Sequence, residues 1–162
     1  MESVVSAGLV RLRPARGAET GPATPSPFED WGSNLDPAAA VEPGRLLIEC
    51  DDEVVGDVSW RAVWFGPTHG SRCWEIGIAL APAARGRGIG TAAQRLLVEH
   101  LFTTTDVHRI QASTDVENLP EERALERAGF VREGVLRQCQ VRADGRHDLV
   151  LYSRLRDDED HG

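Results

Sequence analysis

The apolar positions of this chain fall into two kinds of block. Over residues 73–80 they alternate. Trp74, Ile76, Ile78 and Leu80 share one face, while Cys73, Glu75, Gly77 and Ala79 share the other, the period of two that a β-strand imposes. Over residues 89–101 the period lengthens. Ile89, Ala92, Ala93, Leu96, Leu97 and Leu101 form one stripe of an amphipathic helix, with His100 on the same stripe as a core histidine. Shorter apolar runs over 9–13, 46–50, 54–65 and 107–114 predict strands. Pro14 ends the first, 51–52 is a turn, and the Gly/Pro-containing 66–72 is a hairpin loop. A second helix is expected between Asn118 as N-cap and Gly129 as the closing residue, with Pro120 in its first turn. Residues 131–141 and 148–155 predict an antiparallel pair joined at Asp144-Gly145. No internal repeat is found.

Two stretches depart from this regularity. Residues 14–44 are rich in Pro, Gly and Ala, and Pro22, Pro25, Pro27 and Pro37 exclude a long regular helix there. Phe28, Trp31 and Leu35 at helical spacing are read as local core, the alternative being a cap over a substrate pocket. The charged end, residues 156–162, is expected to be a disordered acidic tail, which leaves residues 1–155 as a single domain.

The candidate chemistry begins between the alternating block and the long helix. Gly86, Gly88 and Gly90 open a turn in which the backbone N–H groups of Arg85, Gly86, Arg87, Gly88, Ile89, Gly90 and Thr91 can converge. The first-turn amides and dipole of the following helix add to that field, so the segment is a cradle for phosphate or pyrophosphate, with Arg85 and Arg87 at its rim. A P-loop would need Gly-Lys-Ser/Thr, and the chain has no lysine. A dinucleotide fingerprint would need Gly-x-Gly-x-x-Gly and an acid ending the second strand, whereas Asp106 precedes its strand.

The pattern Arg85-x-x-Gly88-x-Gly90 resembles the coenzyme A pyrophosphate loop of the GNAT superfamily of N-acyltransferases. Two further segments extend the resemblance in order. Residues 118–130, NLPEERALERAGF, are similar to the Asn-containing helix of the branch that acetylates ribosomal-protein N-termini (RimJ/RimL-type). Residues 130–155 resemble that branch's closing strands, with Glu133-Gly134, Asp144-Gly145 and Asp148 before Leu151-Tyr152. Together they cover about half the chain. The resemblance implies an α/β fold whose mixed, largely antiparallel sheet is splayed after the central strand, with helices on both faces. It also implies acetyl-CoA or another acyl-CoA as co-substrate, an amine acceptor, and no metal.

Composition fits this frame. No apolar run approaches the roughly 18 residues of a membrane helix, and the first residues lack the basic and apolar regions of a signal peptide. Cys50, Cys73 and Cys139 have no metal-ligand spacing, and reduced thiols in the cytoplasm are the expectation. All 18 basic residues are arginine, which excludes a lysine Schiff base. A net charge of −8 disfavours nucleic acid and mildly favours a cationic acceptor. The resemblance implies a small-molecule amine or a peptide N-terminus, with a homodimer left open.

Acyl transfer to nitrogen needs a base for the amine, a donor to the carbonyl oxygen and a departing thiolate. Glu75, the one acid on an otherwise small-residue face, is the candidate general base. By resemblance, Ile78, Ala79 and Leu80 receive the acyl carbonyl and pantetheine arm, and Asn118 contacts that arm. Two departures stand out. Glu121 occupies the place of a family serine, and Leu125 the place where many members carry a tyrosine acid. Two other readings stay open: a carrier-protein donor, and a coenzyme-binding module without catalysis.

Overall fold

The computed structural model describes residues 5–23, 26–29, 44–66 and 68–159. Eight strands form one sheet in the order β1-β2-β3-β4-β5-β6-β8-β7. They are β1 (Val5–Ala7), β2 (Val10–Arg13), β3 (Gly44–Cys50), β4 (Glu53–Trp64), β5 (Arg72–Leu80), β6 (Arg109–Asp115), β7 (Val131–Arg142) and β8 (Gly145–Leu155). Two α-helices, α1 (Ile89–Thr104) and α2 (Leu119–Arg127), follow β5 and β6. Neither is long and apolar enough to cross a membrane.

The strands follow their patterns with small shifts. The expected strand at 9–13 is present as β2 over Val10–Arg13 and gains a partner the sequence reading did not give: Gly8, at φ +57°, and the exposed Leu9 form a turn that brings β1 alongside it. At the other end Arg142 pairs with Gly145, so the turn is Ala143-Asp144 and the glycine, at φ +129°, opens β8. The second helix ends as its sequence predicts. Gly129, at φ +88°, donates to Glu126 O, and Phe130 N–H reaches Leu125 O, a Schellman closure. Asn118 holds the N-cap position, yet its side chain makes no cap. Its Nδ2 donates to Thr114 Oγ1 at 3.1 Å instead.

The pleat of β5 decides the layers. Its large face meets the helices: Ile76, with Trp74, Ile78 and Leu80 beside it, joins Leu12, Val58, Ile110, Val150 and Tyr152 against Ala93, Leu97, Leu101 and Leu125. His100 sits half-buried edge-on to Trp60, and burial holds its pKa below the ordinary histidine value. Both described α-helices lie on this face. The sequence reading puts helices on both faces. On the opposite face the described element is a short 3-10 turn, Pro27–Glu29, reached by Arg142 at the end of β7. Trp31 and Leu35 lie outside the described residues.

That opposite face is layered with ion pairs where the helical face is apolar. Arg13 bonds Glu19 and Glu49, Arg45 pairs with Asp57, Arg109 grips Glu133, and Arg142 is buried against Asp115. Arg156, the first residue of the expected tail, is anchored as well. It donates to Phe102 O, Thr105 O and Val107 O and stacks over the Phe102 ring. These bonds extend the fixed chain past residue 155, because an arginine fork can satisfy the carbonyls left open at the end of α1. Residues 160–162 lie outside the described residues.

Candidate functional site

One pair in the sheet is parallel, and it is short. β5 and β6 are hydrogen-bonded over Trp74–Ile76 and Ile110–Ala112 alone. Beyond that register β5 runs on to Leu80 held by β4, and β6 runs on to Asp115 held by β8. The two strands therefore diverge, leaving the facing backbone edges of residues 77–80 and 113–115 without a strand partner. A cavity of about 670 Å³ fills the gap. It reaches the helical face at Thr91, Gln94, Glu121 and Ala124, and the opposite face at Phe28, Ser113, Asp115, Gln140 and Leu149.

The glycine turn forms one end of this cavity. A 3-10 turn, Pro82–Ala84, carries the chain out of β5, and its ladder closes with Arg85 N–H on Pro82 O at 3.2 Å. The helical ladder restarts with Ala92 N–H on Gly88 O at 3.1 Å. Among the described residues, the amides of Gly86, Arg87, Gly88, Ile89, Gly90 and Thr91 have no backbone acceptor. Gly86 at φ +71° and Gly88 at φ +79° supply the left-handed geometry that bends the turn. A Cβ at Gly88 would meet no protein atom within 4 Å, so the backbone of the turn is open to a ligand on that side. Successive free amides at a helix N-terminus bind anions, through hydrogen bonds and the helix dipole together.

Most residues singled out in the sequence converge here. Ile78, Ala79, Leu80, Arg85, Gly86, Gly88, Gly90, Thr91 and Asn118 all line the cavity. Arg85 also folds back, its Nε and Nη2 donating to Leu80 O at 3.1 and 2.9 Å. Arg87 turns away from the cavity toward Asp51, at 3.8 Å, and the Ile89 side chain is buried in the core. Leu125 is fully buried as well.

Glu75 takes a different position. It lies on the face away from the helices, its carboxylate clamped from both neighbouring strands, and it is not among the residues lining the cavity. Arg61 Nε donates to Oε2 at 2.7 Å with Nη2 on the same oxygen, and Gln111 Nε2 donates to Oε1 at 3.2 Å. Two residues further along the same face, Gly77 does line the cavity. The carboxylate thus borders the gap between β5 and β6 at its closed end.

Several lining residues went unnoticed in the sequence. Gln94 is 2% exposed on α1, and Gln140, Asp115 and Ser113 approach from β7 and β6. Their only sequence signal is polarity at positions whose neighbours are apolar or small, which is weak without the fold. Among the described residues, no group of three or more His, Cys, Asp or Glu could hold a metal ion. Cys50 and Cys73 are buried free thiols, and burial pushes both pKa values up.

A family profile described as the acetyltransferase (GNAT) domain matches residues 10–131. The chain belongs to the GNAT acetyltransferase family. As a GNAT protein it is 37% identical over 127 residues to a putative ribosomal N-acetyltransferase, YdaF, of Bacillus subtilis, a match that covers 78% of this chain and 66% of that one. A probable N-acetyltransferase of the same organism, YjcK, is 39% identical over 93 residues, 57% of this chain and 50% of that protein. The chain spans about half to two thirds of the length of the curated relatives it matches. Among solved structures, Mycobacterium smegmatis RimJ in complex with a CoA disulfide is 33% identical with a TM-score of 0.61, over 69% of this chain and 52% of RimJ. A putative acetyltransferase matches at 30% identity and a TM-score of 0.71, over 95% of this chain and 87% of its own. The resemblance read from the glycine turn and the two later segments is thereby borne out, and so is the splayed, largely antiparallel sheet.

Proposed function

We propose that this chain transfers an acetyl group, or another short acyl group, from acyl-CoA to a primary amine. One observation carries the reading: the free amides of residues 86–91 and the unpaired strand edge of residues 77–80 open into the same cavity. The amides suit a pyrophosphate. The strand edge suits a pantetheine arm, whose amides can pair with it as a further strand would. Arg123 and Arg127 at the outer wall suit the remaining phosphate, and Asn118 faces the arm from the start of α2.

The chemistry then needs little more than positioning. The amine nitrogen attacks the thioester carbon, a C–N bond forms, the C–S bond breaks, and the thiolate leaves with the electron pair. The ammonium proton has to go to a base before attack, and Glu75, at the closed end of the gap between β5 and β6 on the face away from the helices, is the candidate; Asp115, which lines the cavity on that face, is buried against Arg142. In this reading the incoming ammonium exchanges with Arg61 as partner of Glu75, so the carboxylate is neutralised by a cation before and during binding. No described tyrosine stands ready to protonate the thiolate: Tyr152 is fully buried with its hydroxyl on Glu122 and Glu126. Water suffices, or the nitrogen of the tetrahedral intermediate, which must shed its second proton as the amide forms and can pass it to the thiolate, itself a tolerable leaving group.

Free acyl-CoA fits the cradle better than a carrier-protein donor, since a chain of net charge −8 offers an acidic carrier no long-range attraction, whereas Arg85, Arg123 and Arg127 stand at the cavity wall where the phosphates of free coenzyme A would lie. The acceptor class is a small amine or a peptide N-terminus, and reduced thiols with a diffusible CoA donor suit the cytoplasm. A panel of amines and peptides with acetyl-CoA, read by release of free thiol, tests the proposal. Calorimetry of acetyl-CoA tests the first half alone. Tight binding without thiol release from any acceptor would leave a coenzyme-binding module in its place.

A further inference from the structure

Gln94 presents an unmet hydrogen-bond acceptor to the cavity. Its side chain is 2% exposed in the second turn of α1, where every neighbouring buried residue is apolar. The amide nitrogen donates to Glu121 Oε1 in the first turn of α2, which fixes which end of the amide faces which way. The carbonyl Oε1 is buried without a partner, on a side chain that lines the cavity. A buried amide oxygen left without a donor loses its hydration for no return, and its place on the cavity wall points to a donor supplied by what the cavity binds.

We infer that Gln94 Oε1 accepts a hydrogen bond from an amide N–H of the donor's pantetheine arm, with Glu121 as the residue that orients it. This rests on the acyl-CoA reading above and adds a contact to it. Depth selects the arm over the nucleotide. Gln94 lies six residues beyond Gly88, roughly 9 Å along the helix from its N-terminus, on the side toward the sheet. The anion cradle and the exposed arginines hold phosphates at the surface end of the cavity. The part of the donor that passes inward is the arm, and its nitrogen-bound donors are its two amides. Glu121, where the family carries serine, gains a role that neither dipole complementation nor acceptor binding supplies.

The test compares acetyl-CoA with 3′-phospho-ADP, its nucleotide half, by calorimetry on the full chain. Gln94→Met keeps the volume and removes the acceptor. It should weaken acetyl-CoA about three- to tenfold and leave 3′-phospho-ADP unchanged. Loss on both ligands, or on neither, overturns the inference. A second measurement uses the unaltered protein and two coenzyme A analogues, each methylated at one pantetheine amide nitrogen. One analogue should lose a similar factor, and that loss should vanish on Gln94→Met. Losses that simply multiply would overturn the contact, and if the variant folds poorly the wild-type comparison decides alone, since full affinity for both analogues overturns it. Failure of the wild-type protein to bind 3′-phospho-ADP at all would instead remove the acyl-CoA reading itself.

Discussion

Arg61 and Glu75 face each other across β4 and β5, registered as direct cross-strand partners, and Gln111 flanks Glu75 from β6 in the same register. The carboxylate that the sequence marks as a base is therefore held by two donors from two strands, at the point where β5 and β6 begin to separate. Such a clamp keeps one rotamer and supplies a cation that an ammonium substrate can replace.

Replacing Glu75 with Gln should lower kcat by about 10²–10⁴-fold while acetyl-CoA affinity stays within about twofold, because Glu75 does not line the donor cavity. Steady-state kinetics and calorimetry check the two halves. Wild-type turnover in Glu75→Gln would reduce the residue to a structural partner of Arg61.

The cradle makes a paired prediction. Gly88→Val forces a β-branched residue to φ +79° and places a side chain in the open space before the amides. Acetyl-CoA affinity should fall at least about tenfold, with a loss of roughly 1–3 kcal/mol in stability from backbone strain. Gly90→Ala is the control. A Cβ there meets Leu80 and Ile78 at 3.5 and 3.8 Å, ordinary contacts at a helical position. Its Tm should be equal to or above that of the wild type. Thermal melts with and without acetyl-CoA separate strain from lost binding.

Acid should weaken the fold through the ion-paired face. Arg109 grips Glu133 at 2.6 and 2.7 Å and pulls its carboxyl down to about 2. Arg13 does the same to Glu19, also to about 2. Between these values and the ordinary 4.5 the unfolded chain binds more protons than the native one, so stability is present above that window and drains as pH falls through it. Tm should drop between about pH 5 and pH 2. Glu133→Gln should start lower at neutral pH and decline less steeply. An equal slope in wild type and variant would show that this pair carries none of the acid sensitivity.

Tyr152 governs the alkaline side. It is fully buried, and its hydroxyl donates to Glu122 at 2.7 Å and Glu126 at 3.1 Å. Burial, then the two carboxylates, hold its pKa well above the ordinary 10. Stability should be full below about pH 10 and fall above it, as the unfolded tyrosine ionises and the native one does not. Tyr152→Phe should cost about 0.5–1.5 kcal/mol at neutral pH and flatten that alkaline decline, measured by denaturant melts across pH.

The sequence by itself determined the elements and the cradle. A period of two in β5, a period of 3.6 in α1 and a glycine that must take positive φ at residue 129 are local facts, and local sterics enforce them. The glycine turn was legible for the same reason, since three glycines before an amphipathic helix leave amides free whatever else surrounds them. Tertiary structure decided where the site's side chains point. Glu75 and Gly77 share a face in the sequence, yet only the divergence of β5 from β6 makes one a cavity wall and the other a clamped partner of Arg61. Asn118 reads as a helix cap and bonds Thr114 instead, because the end of β6 brings that hydroxyl within reach. Gln94 reads as one of several polar residues on an amphipathic helix. Its role is set by Glu121, 27 residues away, and by a cavity that exists only where two strands stop pairing. Periodicity is written in neighbours along the chain, whereas burial and orientation come from segments far apart in it.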